Sequence, residues 1–141
     1  MTRYWLNVVS RDHVHRGAGL GITQVNHGRK APLQRMNPGD GLVYYSPRER
    51  IGDGAPVRAF TAIGTIADGE PWQGDEGSFR PWRRKVSYRD DVRETPIEEL
   101  RGELELTSSP NWGMILRRGL VELSEHDFRG ISDAMGGRDE S

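Results

Sequence analysis

The stretches of this chain that read as helices are short, and that limits the fold more than any other feature. They fall near residues 10–16, 31–36, 95–102 and 124–135. A crossover between parallel strands takes about a dozen residues or more, usually as a helix, and the first three stretches are too brief for one. Between them lie segments rich in β-branched and aromatic residues: Tyr4-Trp5-Leu6-Asn7-Val8-Val9, Gly41-Leu42-Val43-Tyr44-Tyr45-Ser46, residues 57–67 and residues 82–88. These predict strands. The expected class is therefore α+β with β dominant, five to six mainly antiparallel strands in a small curled barrel with short helices around it.

Punctuation along the chain supports this reading. Asn37-Pro38-Gly39-Asp40 predicts a turn, Pro47 predicts the end of the second strand, and Gly64 predicts a bulge or a close approach of backbones. In residues 82–88 polar and apolar residues alternate except at Arg84. Residues 68–81 form a long loop with three glycines and two prolines, and long loops in compact domains are often functional. Thr95-Pro96-Ile97-Glu98 predicts a helix start with threonine as its cap. Ser124 and Asp127 open a terminal helix in which Phe128, Ile131 and Met135 recur at helical spacing, and Gly136-Gly137 stop it. A single domain over residues 1–136 is expected, with 137–141 as a disordered tail.

Charge and cysteine content narrow the function. The 141 residues carry no cysteine, which removes disulfides, thiolate nucleophiles and cysteine-bound metals, and fits a cytoplasmic location. No apolar run is long enough for a signal peptide or a membrane span. A formal net charge of −1 argues against gripping a long phosphate backbone by electrostatics alone, so the expected ligand is small or locally contacted.

Several residues could build a binding site. Trp72, Phe79, Trp82 and Trp112 fall in or beside loops, where a flat ring can stack on a planar base as readily as it can plug a core. Gln24, Asn26, Ser46 and Asn111 pair donor with acceptor capacity and can meet the edge of a base, although Asn111 after Pro110 also suits a turn. The local basic run around Arg80, Arg83 and Arg84 fits a phosphate-contacting rim, and equally a charged strand edge. Asp12-His13-Val14-His15 holds an H-x-H pair, but on a helix the two rings leave opposite faces, so no metal is expected. Gly17-Ala18-Gly19-Leu20-Gly21 lacks the lysine of a phosphate loop and reads as a break in regular structure. No G-x-S-x-G elbow occurs, and no cofactor is implied.

Taken in order, Tyr4-Trp5-Leu6, Ser10-Arg11-Asp12-His13, Thr23-Gln24-Val25-Asn26-His27-Gly28, Pro38-Gly39-Asp40, Val43-Tyr44-Tyr45-Ser46-Pro47, Phe60-Thr61-Ala62-Ile63-Gly64, Pro81-Trp82-Arg83-Arg84 and Asn111-Trp112-Gly113 resemble the bacterial EVE-domain family over nearly the whole chain. The resemblance implies a PUA-like pseudo-barrel related to the YTH readers of methylated adenine. It further implies a base-sized pocket for a modified base of DNA or RNA, and a separate nuclease or restriction-type protein as partner. It carries Ser10, Gln24, Asn26 and His27 into the pocket. For its walls Trp82 and Trp112 are the first candidates, followed by Tyr44, Tyr45 and Phe79.

The expectation is thus a non-enzymatic reader that holds one modified nucleobase. Its rivals are a small enzyme acting on nucleotides through Asp12 and the histidines, a module that binds a small metabolite, and a protein-interaction role.

Overall fold

The computed structural model describes residues 2–25, 28–52 and 54–137. In chain order it contains β1 (Tyr4–Val8), α1 (Arg11–Leu20), β2 (Ile22–Thr23), α2 (Lys30–Gln34), β3 (Gly41–Arg48) and β4 (Pro56–Ile66). Then follow β5 (Trp72–Gln73), β6 (Trp82–Tyr88), β7 (Thr95–Pro96), α3 (Trp112–Leu116), β8 (Leu120–Leu123) and α4 (Glu125–Met135), with 3-10 turns at Ile97–Glu99 and Leu106–Ser108. The eight strands form one sheet in the order β2-β6-β4-β3-β1-β8, with β5 on β6 and β7 on β4. The class is α+β as expected, a curled half-barrel with short helices around it.

One pairing departs from the expectation. β1 and β3 run parallel, with Leu6 opposite Val43 and Asn7 opposite Tyr44, so residues 9–40 form a crossover. The crossover is feasible because α1 is longer than the sequence suggests. It continues past Arg16 through Gly17 and Gly19 to Leu20, and ends at Gly21 in the left-handed conformation. Burial of Val14 and packing onto the sheet outweigh the poor helix propensity of two glycines. A side chain at Gly17 would crowd the Ile22 carbonyl at 3.2 Å, so its smallness lets helix and strand approach.

Other local expectations are revised in the same way. β3 runs through exposed Pro47 to Arg48, because the register shifts between Ser46 and Arg48 and leaves the proline without a ladder bond to make. Thr95 does not cap a helix. It pairs with Phe60 across β7 and β4, its hydroxyl donates to the Arg93 carbonyl, and only a 3-10 turn follows. Arg84 is 4% exposed and shares the inward face of β6 with Val86 and Tyr88, which explains the broken alternation. Gly64 is a close approach, since a Cβ there would meet the Ser87 carbonyl at 2.4 Å. α4 begins as the sequence predicts, with the Ser124 hydroxyl accepting from the Asp127 N–H. Of the tail, residues 138–141 lie outside the described residues.

The central strands are buried on both faces. On one face Leu6, Val43, Tyr45, Phe60 and Ile63 pack beneath Phe128, Ile131 and Met135 of α4. On the other, Trp5, Leu42, Tyr44, Ala62, Ile66, Val86 and Tyr88 pack with Val14 of α1 and Leu33 beside α2. That second face is only partly filled.

Candidate functional site

Near the C-terminal end of β1 the second face carries polar groups where an apolar core would otherwise close. Asn7 is 2% exposed, faces the same way as its register partner Tyr44, and donates through Nδ2 to the Gln24 carbonyl at 3.1 Å. The Tyr44 hydroxyl hydrogen-bonds the Thr23 hydroxyl, and Tyr88 donates to the Ile22 carbonyl at 2.7 Å. Burial raises the Tyr44 phenol above its ordinary pKa, and bonds from Thr23, Tyr88 and Asn7 partly offset this. The result is a neutral hydrogen-bonding floor held in place before any ligand arrives, in surroundings where such bonds are stronger than in water.

Ser10 borders this floor. Its hydroxyl donates to Asp12 Oδ1 at 2.7 Å, and the same oxygen accepts the His13 N–H at 2.8 Å. The Ser10 bond is the main reason the Asp12 carboxyl lies below its usual pKa. Asp12 therefore serves the first turn of α1 as an ionised acceptor. His15, on the same helix, contacts Glu94 at 2.7 Å and does not line the cavity, whereas His13 does. Among the described residues no group of three or more histidines and carboxylates could hold a metal.

The floor opens into a cavity of about 700 Å³. This falls within the roughly 300–1,000 Å³ of small-molecule sites. Phe79 stands on one wall beside Gly28, where a Cβ would collide with Pro81 at 2.5 Å, so only glycine lets that segment close on the residues after β2. Arg83 donates to Gln24 Oε1 at 3.1 Å and pairs with Glu76, tying two wall segments together. The rim comes from three places: Arg16 and Leu20 of α1, Arg48 to Gly52 after β3, and Arg117 to Gly119 before β8. The Val8 N–H donates to the Gly119 carbonyl at 2.8 Å and brings the last group to the mouth. Six arginines thus surround the cavity, and Glu76, already held by Arg83, is the lone carboxylate among the described lining residues.

The residues singled out in the sequence divide as follows. Ser10, Gln24, Tyr44, Phe79 and Arg83 line the cavity. Asn26 and His27 lie outside the described residues, between Gln24 and Gly28, both of which line it. Tyr45 points to the opposite face and meets Phe60 edge-on at 5.7 Å, and Ser46 is buried against the Thr61 hydroxyl at 2.7 Å. Trp82 is half-buried under the Lys30 ammonium, which lies 4.6 Å from its ring centre. Trp112 packs against the α4-side core, and Asn111 is exposed beside it, so neither reaches the cavity. Arg80 is exposed away from the cavity lining, and Arg84 faces inward with no partner for its Nε among the described residues.

The sequence reading overlooked Asn7 and the arginines of the rim. Asn7 did carry a signal, as a lone amide inside Trp5-Leu6-Asn7-Val8-Val9. The arginines carried none, because residues 16, 48, 50, 117 and 118 converge only through the topology.

The sequence matches the family model of the EVE domain over residues 3–134. A UPF0310 protein of Renibacterium salmoninarum is 53% identical over 135 residues, covering 96% of each chain. Another, from Mesorhizobium japonicum, is 49% identical over 140 residues, covering 96% of this chain and 93% of that one. Among solved structures, a hypothetical protein from Leishmania major superposes with a TM-score of 0.59 at 13% identity, covering 94% of both chains. At that identity the likeness concerns the fold alone.

Proposed function

The chain belongs to the EVE-domain family, and from that premise we propose that it is a reader: it takes one modified nucleobase of DNA or RNA into the cavity and does no chemistry on it. The observation that carries this reading is the combination of a neutral polar floor with an arginine rim. Asn7, Ser10, Gln24 and the Tyr44 hydroxyl supply the donors and acceptors that match a base edge, and Phe79 offers a ring for its flat face. The surrounding arginines suit the phosphates on either side of an extruded nucleotide. In a chain of net charge −1 they form a local basic ring, as expected if the backbone is gripped only near the chosen base.

A catalytic role through Asp12 has less support, because one oxygen of that carboxylate already accepts both the Ser10 hydroxyl and the His13 N–H. A cytoplasmic protein working beside a separate nuclease or restriction-type partner is consistent with the reader role. No helix among the described residues is long and apolar enough to cross a membrane.

The test is a binding panel of oligonucleotides that each carry one N6-methyladenine, one 5-methylcytosine or only unmodified bases, compared with the free nucleosides and assayed in parallel for turnover. The expected result is a clear preference for one modified strand, with no product formed. Equal affinity for every strand, or none for any, overturns the proposal.

A further inference from the structure

Five large hydrophobic side chains stand exposed among the described residues, and three of them, Leu20, Ile51 and Phe79, line the mouth of the same cavity. A lone exposed apolar side chain is ordinary. Three around one opening, set among arginines, form a surface with a purpose. Ile51 is the most exposed of the five, at 76%.

Ile51 sits at the tip of the loop between β3 and β4, and the ends of that loop are firmly closed. The Glu49 N–H donates to the Ala55 carbonyl at 2.9 Å, and Arg48 donates to the Gly54 carbonyl at 3.2 Å. A Cβ at Gly54 would fall 2.2 Å from the Arg50 nitrogen, so the loop folds back more tightly than any other residue would allow. It is also anchored to α1, since Asp12 N–H donates to the Glu49 carbonyl and Arg11 pairs with the Glu49 carboxylate, both at 3.0 Å. A β-branched side chain on so braced a tip has little freedom to lose on contact.

A base in a duplex can reach the cavity floor only by leaving its stack, and an unfilled gap raises the cost of extrusion. Proteins that deform duplexes offset this with an exposed apolar side chain inserted between bases. We propose that Ile51 is such a wedge: it enters a base-paired nucleic acid where the captured base has left, while Arg48 and Arg50 hold the flanking phosphates. The inference rests on the base-binding reading of the cavity and adds to it a substrate class, duplex rather than single strand. An acidic polymer suits this rim better than an apolar protein surface, because the side chains around Ile51 are arginines.

The experiment uses the full chain and the methylated strand that the binding panel selects, alone and annealed to its complement, with fluorescence anisotropy as readout. Ile51→Ala is expected to weaken duplex binding about tenfold and leave single-strand binding unchanged, and Ile51→Met to restore the duplex affinity. Equal loss on both probes, no loss on either, or a wild-type protein that binds the strand but not the duplex, overturns the wedge and leaves the cavity reading standing. A wild-type protein that binds no nucleic acid removes both.

Discussion

Tyr44 and Tyr45 are neighbours of the same type, both buried, and they do opposite things. Tyr45 turns toward α4 and packs on Phe60 in a core that is apolar throughout. Tyr44 turns the other way, joins Thr23 through its hydroxyl and lines the cavity beside Asn7. Adjacent residues of a strand must point to opposite faces, so the two sides of one sheet divide the work. The α4 side supplies stability, and the other side gives up part of its packing to keep a polar hollow open. This division makes predictions that treat the two faces differently.

The largest effect is expected on the solid face. Phe60→Ala removes a fully buried ring and should cost about 3–5 kcal/mol by chemical denaturation, with unchanged affinity per folded molecule. If binding instead falls in step with stability, the faces are not separable. Asn7→Ala should cost less, about 1–3 kcal/mol, because it leaves the Gln24 carbonyl without its buried donor. Here, though, recognition of the modified base should be lost, and a variant that still discriminates would remove Asn7 from the floor.

How much of this was legible in advance follows from the same geometry. The strands at 41–46, 57–67 and 82–88 and the terminal helix follow from patterns within a few residues, and they are largely where the sequence puts them. Which face of β3 would be hollow does not, because alternation is symmetric and both tyrosines are equally apolar. The parallel pairing of β1 with β3 was hidden because packing holds α1 together through two glycines. The basic run at Arg80, Arg83 and Arg84 stood out because it was contiguous, yet only Arg83 lines the cavity, whereas Arg16, Arg50, Arg117 and Arg118 meet there from distant segments.

Those rim arginines give the next test. Replacing Arg117 and Arg118 together by alanine should weaken all strands alike and flatten the slope of log affinity against log salt by about 2, at nearly one unit per lost phosphate contact. A change in base preference with the slope intact would mean that they read the base and not the backbone.

The smallest effect distinguishes the two tyrosines. Burial raises both phenols above the ordinary value of 10.0, so the folded state keeps protons that the unfolded chain has released. Their contribution to stability is whole below pH 10.0 and declines as the pH climbs through the raised values. Tyr44→Phe and Tyr45→Phe should each soften that alkaline loss, at a cost of about 1 kcal/mol for a lost hydrogen bond at Tyr44. Only Tyr44→Phe should alter binding at neutral pH.

Backbone amide shifts recorded as the preferred methylated strand is titrated into the labelled protein test the central claim most directly. The account predicts that the large changes fall on Asn7, Ser10, Gln24, Tyr44 and the rim after β3, with Phe60, Ile131 and Trp112 undisturbed. Changes centred on Trp112 and the α4 face would contradict it.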